Sequence, residues 1–163
     1  MNAAAWGMKL FDRRGKHCFF FYGTLMDPDV RRLVLGTEPA GAGIFPASLP
    51  GFAVRYVVGE RYPALQAKPG AAAPGIVITA LSPGQARALD RYEGNGYRRE
   101  TRLVCLADRR RIAAMVYLPM THLNAGRRPW SYQTWRRKDK AHFLWASGLN
   151  NPLRGFGADR QAR

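Results

Sequence analysis

Apolar positions along this 163-residue chain fall in short runs separated by glycine and proline. The densest run, Phe19-Phe20-Phe21-Tyr22, extends His17-Cys18 and stops at Gly23. An aromatic run of this kind ending on glycine predicts a buried strand over about His17–Tyr22, then a tight turn. Asp27 and Pro28 follow as N-cap and first helical residue. Val30, Leu33 and Val34 then recur at helical spacing, and Gly36 is a natural stop. Strand, glycine turn and helix start together aim backbone N–H groups at one spot, which suits a carboxylate or a phosphate.

From Gly41 to Leu81 the punctuation is frequent: Pro46, Pro50-Gly51, Gly59, Pro63, Pro69-Gly70 and Pro74-Gly75. Between the breaks lie Phe52–Val58 and Gly75–Leu81, with Tyr62–Ala67 as a third candidate. Such spacing predicts short strands in a curled antiparallel sheet or small barrel, with Pro46 and Pro63 at strand ends or edges. Ser82-Pro83-Gly84-Gln85 carries the signature of a capping box, with Leu81 and Ala86 at staple positions. That helix runs through Leu89 and Tyr92 to a stop at Gly94. Tyr97–Leu106 and Ile112–Leu118 read as a hairpin, and Pro119 to Pro129 as a long loop. A last helix is expected from Ser131 or Thr134 to Ser147, with Trp135, His142, Phe143 and Ala146 on one face. Residues 1–16 read as a mobile arm, 17–148 as a single domain and 149–163 as a loose tail.

Composition narrows the class. Hydrophobic residues make up 47% of the chain and aromatics 12%, as in a globular protein. No apolar run approaches the roughly 20 residues of a membrane helix, and residues 1–16 lack a secretory pattern, so a cytoplasmic address is expected. Cys18 and Cys105 make no disulfide framework, and His17, His122 and His142 show no ligand spacing. The formal charge is +15; residues 1–90 hold 10 cations and 6 acids, residues 91–163 hold 16 and 5. A basic second half can attract nucleic acid or another polyanion, but it lacks an ordered basic-aromatic motif. A solvated basic surface is the simpler reading, so nucleic acid is not the expected partner.

Glu93 is the carboxylate singled out by position. At a helix C-terminus its ionised form meets the negative end of the macrodipole, and Tyr92 and Tyr97 can desolvate it further. A carboxylate so placed can take up and release a proton near neutral pH. On position alone, a surface glutamate paired with Arg98 or Arg99 is the commoner case. The glycine turn has no lysine after it, as a phosphate-binding P-loop would, which favours a carboxylate ligand over a phosphate. Asp27 and Asp29 most simply cap the following helix.

Phe21-Tyr22-Gly23-Thr24-Leu25-Met26 resembles the signature loop of the γ-glutamylcyclotransferase-like, or AIG2-like, family. Leu89-Asp90-Arg91-Tyr92-Glu93-Gly94, followed by Tyr97-Arg98-Arg99, resembles that family's catalytic-glutamate segment. The resemblance covers roughly residues 17–120. It implies an α+β fold: a small mixed or antiparallel β-barrel with a few short flanking helices and a cavity at one end. It also implies that Tyr22, Gly23, Thr24 and Leu25 hold the amino-acid end of a γ-glutamyl group. Glu93 would move the proton as the substrate's α-amine attacks its own γ-carbonyl, releasing 5-oxoproline and an amine with no metal or organic cofactor. Tyr97 and Tyr117 would line the pocket. The leaving amine and the oligomeric state are left open. The alternatives are a non-catalytic module binding a small carboxylate, or polyanion binding by the basic half.

Overall fold

The computed structural model describes residues 17–37 and 43–149. The expected N-terminal arm and, Leu149 aside, the expected tail lie outside them. In chain order come β1 (His17–Phe21), a 3-10 turn (Thr24–Met26), α1 (Pro28–Leu35), β2 (Ile44–Val57) and β3 (Pro63–Leu81). Then follow α2 (Pro83–Glu93), a second 3-10 turn (Gly94–Gly96), β4 (Tyr97–Leu106), β5 (Arg111–Pro119), β6 (Ala125–Pro129), α3 (Tyr132–Lys138) and α4 (Lys140–Ala146).

The strands pair in the order β3-β1-β5-β4-β2, and pairing of β2 with β3 closes the ring. The result is a five-stranded mixed barrel: β1 and β5 run parallel at Phe19 and Met115, and the other pairs are antiparallel. On the β4 side the ring closes through a short pairing, Ala47↔Leu106 and Ser48↔Cys105. Short helices flank the barrel, so the α+β barrel expectation holds. No helix among the described residues is long and apolar enough to cross a membrane.

The proline-glycine punctuation breaks the barrel strands less than expected. Tyr62–Ala67 and Gly75–Leu81 belong to one long strand, β3, paired with β2 from Ile44↔Ile78 to Tyr56↔Pro63. Pro63 opens its strand as expected, whereas Pro46, Pro50, Pro69 and Pro74 lie within strands. In a strand only every second N–H points at a given neighbour, so one missing donor need not end the ladder. The strain is absorbed instead where residues 68–71 bulge opposite Gly51, between the pairs Pro50↔Ala72 and Phe52↔Ala67.

Three further segments follow the local signals closely. Asp27 caps α1 by accepting from the Asp29 and Val30 amides, with Pro28 at the first position. Ser82 and Gln85 form the full capping box of α2, and Gly94 ends it at φ +61°. The β4–β5 hairpin pairs from Tyr97↔Pro119 to Cys105↔Arg111.

Two other segments differ. The expected loop from Pro119 to Pro129 contains β6, which pairs with β2 outside the ring. The single last helix is two, broken at Asp139, whose φ is −113°. There the buried Asp139 carboxylate accepts from the Tyr56 hydroxyl at 2.7 Å and from Arg61 at 2.9 Å. Trp135, Phe143 and Leu144 are buried, while His142 and Ala146 face solvent. Trp135 packs against Trp130, Tyr132 and Phe143, so this segment is part of the core.

Cys18 to Tyr22 are all buried, which places β1 inside the molecule on both faces. Phe19 stacks with Phe21 and Tyr117, and Phe20 lies near Tyr22. Burial pushes the Cys18 thiol up to about 11, so it packs as a small hydrophobe. Gly75 allows β3 to approach β1: a Cβ there would sit 2.3 Å from the Phe21 carbonyl oxygen and 2.7 Å from the Phe20 ring. A backbone atom cannot yield as a flexible side chain does. Gly75→Ala is therefore expected to lower stability by about 3 kcal/mol, read as a fall in the chemical-denaturation midpoint.

Candidate active site

β1 delivers the chain to the Gly23 turn at one end of the barrel. The Met26 and Asp27 amides close that turn on the carbonyls of Gly23 and Thr24, at 2.9 and 3.0 Å. The first N–H groups of a helical turn have no partner within it, so those of Gly23, Thr24 and Leu25 are the ones a ligand can use. Gly23 lies against β3, where a Cβ would sit 2.9 Å from Cγ of Pro63.

The turn is held from behind. Arg31 is buried and donates to the carbonyls of Leu25 and Met26, at 3.0 and 2.8 Å. Asp27 has no solvent exposure. Beyond capping α1 it accepts from the Tyr132 hydroxyl at 3.0 Å and pairs with Lys140 at 2.9 Å. Lys140 also reaches Asp29 at 2.6 Å. Asp27 thus caps as expected, whereas the Asp29 side chain binds Lys140 and Arg32. Through Tyr132 and Lys140 the C-terminal helices take part in that support.

A narrow, partly open cleft lies beside the turn. Glu93, Tyr22, Gly23, Thr24, Leu25, Tyr97 and Tyr117 all line it. The structure therefore brings together every site residue expected from the sequence. Glu93 arrives as the last residue of α2, and Gly94 turns the chain back into β4. Of the two cations near it in sequence, Arg98 pairs with Glu100, and Arg99 lies 3.5 Å from Asp90.

Sequence reasoning did not place Tyr62, Pro63, Tyr92 and Phe143 in the lining. Tyr62 and Pro63 arrive at the start of β3, opposite the turn glycine. The only local signal for Phe143 was its helical spacing from Trp135.

The phenols form a connected frame. Thr24 Oγ1 and the Tyr92 hydroxyl share a hydrogen bond of 2.8 Å, tying the turn to α2. The Tyr22 hydroxyl donates to the Tyr117 carbonyl at 2.7 Å, and Tyr97 donates to the Pro63 carbonyl at 2.7 Å. The Tyr117 hydroxyl donates to Asp90 at 2.7 Å. Burial first, with the Glu93 charge adding to it, holds Tyr22 and Tyr97 well above the usual phenol range. Burial and Asp90, with Glu93 behind them, do the same for Tyr117. These phenols stay neutral at physiological pH and act as hydrogen-bond partners. The Glu93 carboxylate lines the cleft among them. Among the described residues, no group of three or more His, Cys, Asp or Glu side chains is arranged to hold a metal ion.

A family model described as gamma-glutamyl cyclotransferase, AIG2-like, matches residues 19–137. Protein AIG2 B of Arabidopsis thaliana is 28% identical over 139 residues, covering 83% of this chain and 80% of its own. A solution structure of an Arabidopsis thaliana protein is 28% identical with a TM-score of 0.63, covering 83% of this chain and 90% of its own. A structure titled gamma-glutamyl cyclotransferase shares the fold at 18% identity, with a TM-score of 0.57 and coverage of 88% and 94%.

The buried support behind the turn can be tested directly. Lys140→Met leaves the Asp27 carboxylate buried with fewer partners and is expected to lower stability by about 2 kcal/mol at pH 7 in denaturant titrations. Lys140 holds the Asp29 carboxyl below its ordinary value of 3.8 by hydrogen bond and charge. A depressed carboxyl contributes stability above its unfolded value and loses it as pH falls through the folded value. Burial opposes the Lys140 charge, but Asp29 and Asp27 outweigh it and raise the amine above 10.5. A raised amine contributes below its unfolded value and loses that contribution as pH rises through the folded value. The gap between wild type and variant is thus expected to be widest from about pH 5 to 10 and to narrow on either side.

Proposed function

The chain belongs to the gamma-glutamyl cyclotransferase, AIG2-like family, and from that premise we propose that it is a cofactor-independent cyclotransferase acting on a γ-glutamyl amine or amino acid. The observation that carries this reading is that Glu93 and the Gly23–Leu25 turn line one cleft. In this reading the amides of the turn hold the substrate's α-carboxylate, with Tyr22 bracing the wall beside them. Tyr97 and Tyr117 shape the pocket around the amine. Glu93 accepts a proton from the α-ammonium, and the freed nitrogen attacks the γ-carbonyl carbon. A tetrahedral intermediate forms. Glu93 then returns the proton to the departing nitrogen as the carbon–nitrogen bond breaks, and carries the surplus proton of the ring nitrogen to the released amine, giving 5-oxoproline and a protonated amine.

The reaction is an intramolecular acyl transfer, so positioning and proton movement can supply most of the acceleration. The neutral phenols leave Glu93 as the proton carrier in the cleft. A cytoplasmic address belongs to the same reading. The lining does not single out one leaving amine.

Glu93→Gln is expected to reduce 5-oxoproline release from a panel of γ-glutamyl compounds by at least about 10²-fold. Its melting temperature should equal or exceed that of wild type, because the variant removes a carboxylate from a helix C-terminus. Full activity in that variant removes Glu93 from the mechanism. A wild-type protein that binds the panel and turns over none of it is the non-catalytic carboxylate-binding module instead.

A further inference from the structure

Two phenols that line the cleft with Glu93 have a fixed polarity. Tyr97 gives its proton to the Pro63 carbonyl, and Tyr117 gives its proton to Oδ1 of Asp90, each at 2.7 Å. A carbonyl oxygen and a carboxylate can only accept, so neither hydroxyl has a proton left for a ligand. What each can still offer is an oxygen lone pair. Tyr22 gives its proton to the wall itself, at the Tyr117 carbonyl. A third acceptor is Glu93, whose charge reaches both Tyr97 and Tyr117.

Asp90 does not itself line the cleft. It lies three residues before Glu93 on α2, and its second oxygen faces Arg99 at 3.5 Å. Its side chain is 42% exposed, so it is not needed as packing.

We propose that Asp90 is a positioning residue: by taking the Tyr117 proton it leaves an acceptor-only pocket, formed by the Tyr97 and Tyr117 oxygens and the Glu93 carboxylate, that selects a protonated amine. The identity of that amine, the α-ammonium of a γ-glutamyl group, rests on the cyclotransferase reading above. An ammonium brings three N–H donors to three acceptors. The lactam product has one N–H and no positive charge, so ring closure weakens the hold on the product.

The probes are L-glutamine and the monoamide of glutaric acid, which is the same molecule without its α-amine. Calorimetry on the wild-type protein at neutral pH is expected to show L-glutamine bound about tenfold more tightly or better. Tyr117→Phe and Asp90→Ala should each cut that preference by about tenfold, by weakening L-glutamine far more than the monoamide. Adding Asp90→Ala to Tyr117→Phe should change nothing further, because Asp90 acts through Tyr117. Asp90→Asn keeps an accepting oxygen and should retain most of the preference.

An unchanged preference in Asp90→Ala and Tyr117→Phe overturns the proposal. So does an equal weakening of both ligands, which is what a purely structural Asp90–Arg99 pair would produce. Equal losses in Asp90→Asn and Asp90→Ala would assign the effect to charge and overturn it as well. The two readings fail separately. Wild-type protein that prefers L-glutamine but releases no 5-oxoproline removes the enzyme and keeps the pocket. Release of 5-oxoproline with no ammonium preference does the reverse.

Discussion

A carboxylate with no exposure to solvent governs the end of the barrel where the cleft lies. Asp27 cannot remain charged and buried without partners, because the desolvation of an unpaired carboxylate amounts to several kcal/mol. Its partners come from three places: the first amides of α1, the Tyr132 hydroxyl and the Lys140 amine. Satisfying one side chain therefore fixes where α1 begins and brings α3 and α4 against it. Arg31 completes the arrangement by binding the carbonyls on the back of the turn. The amides of Gly23 to Leu25 are thus held by a buried polar network rather than by the turn's own few bonds.

This arrangement explains why the cleft can be narrow and still be polar. Four of its phenols, Tyr22, Tyr92, Tyr97 and Tyr117, are each fixed by a hydrogen bond to a residue between 27 and 95 positions away in the chain. A network that satisfied has little freedom to reorganise when a ligand enters, which is the condition for electrostatic preorganisation. The arginine pairs of β4 are different. Arg98 and Arg102 share Glu100 there, and the neighbouring Arg110 meets Asp108, all in exposed pairs that salt screens. Those pairs belong to a solvated surface and have no part in the cleft.

What could be read in the sequence was what local chemistry decides. The β1 strand, the glycine turn, the Asp27 cap and the Ser82–Gln85 box each depend on residues within a few positions of one another. All of these appear in the structure. The motif resemblance extended that reading to the site, and its seven residues do meet in one cleft. What escaped was decided at long range. β3 stays continuous through its prolines because β2 pairs along its length, and β6 exists because β2 offers it a ladder. Ala125-Gly126-Arg127-Arg128-Pro129 has no alternation to announce a strand. The break at Asp139 depends on Tyr56 and Arg61, 83 and 78 residues earlier, and no helical periodicity contains that information.

The same distinction bears on how function is divided over the chain. A donor surface at the turn is a local product of backbone geometry, so a short motif can carry it intact between proteins. An acceptor surface made of hydroxyls is not, because a hydroxyl donates or accepts according to what stands behind it. In the proposed pocket, Tyr117 is an acceptor only while Asp90 takes its proton, and Tyr97 only while the Pro63 carbonyl lies within 2.7 Å. Placing amides that donate and phenol oxygens that accept in one cleft suits a ligand carrying both charges on one carbon, as an amino-acid head does. A phosphate would be served by the first surface and repelled by Glu93. On the proposed reading, the missing lysine after Gly23 and the committed protons of two tyrosines both favour a zwitterionic ligand.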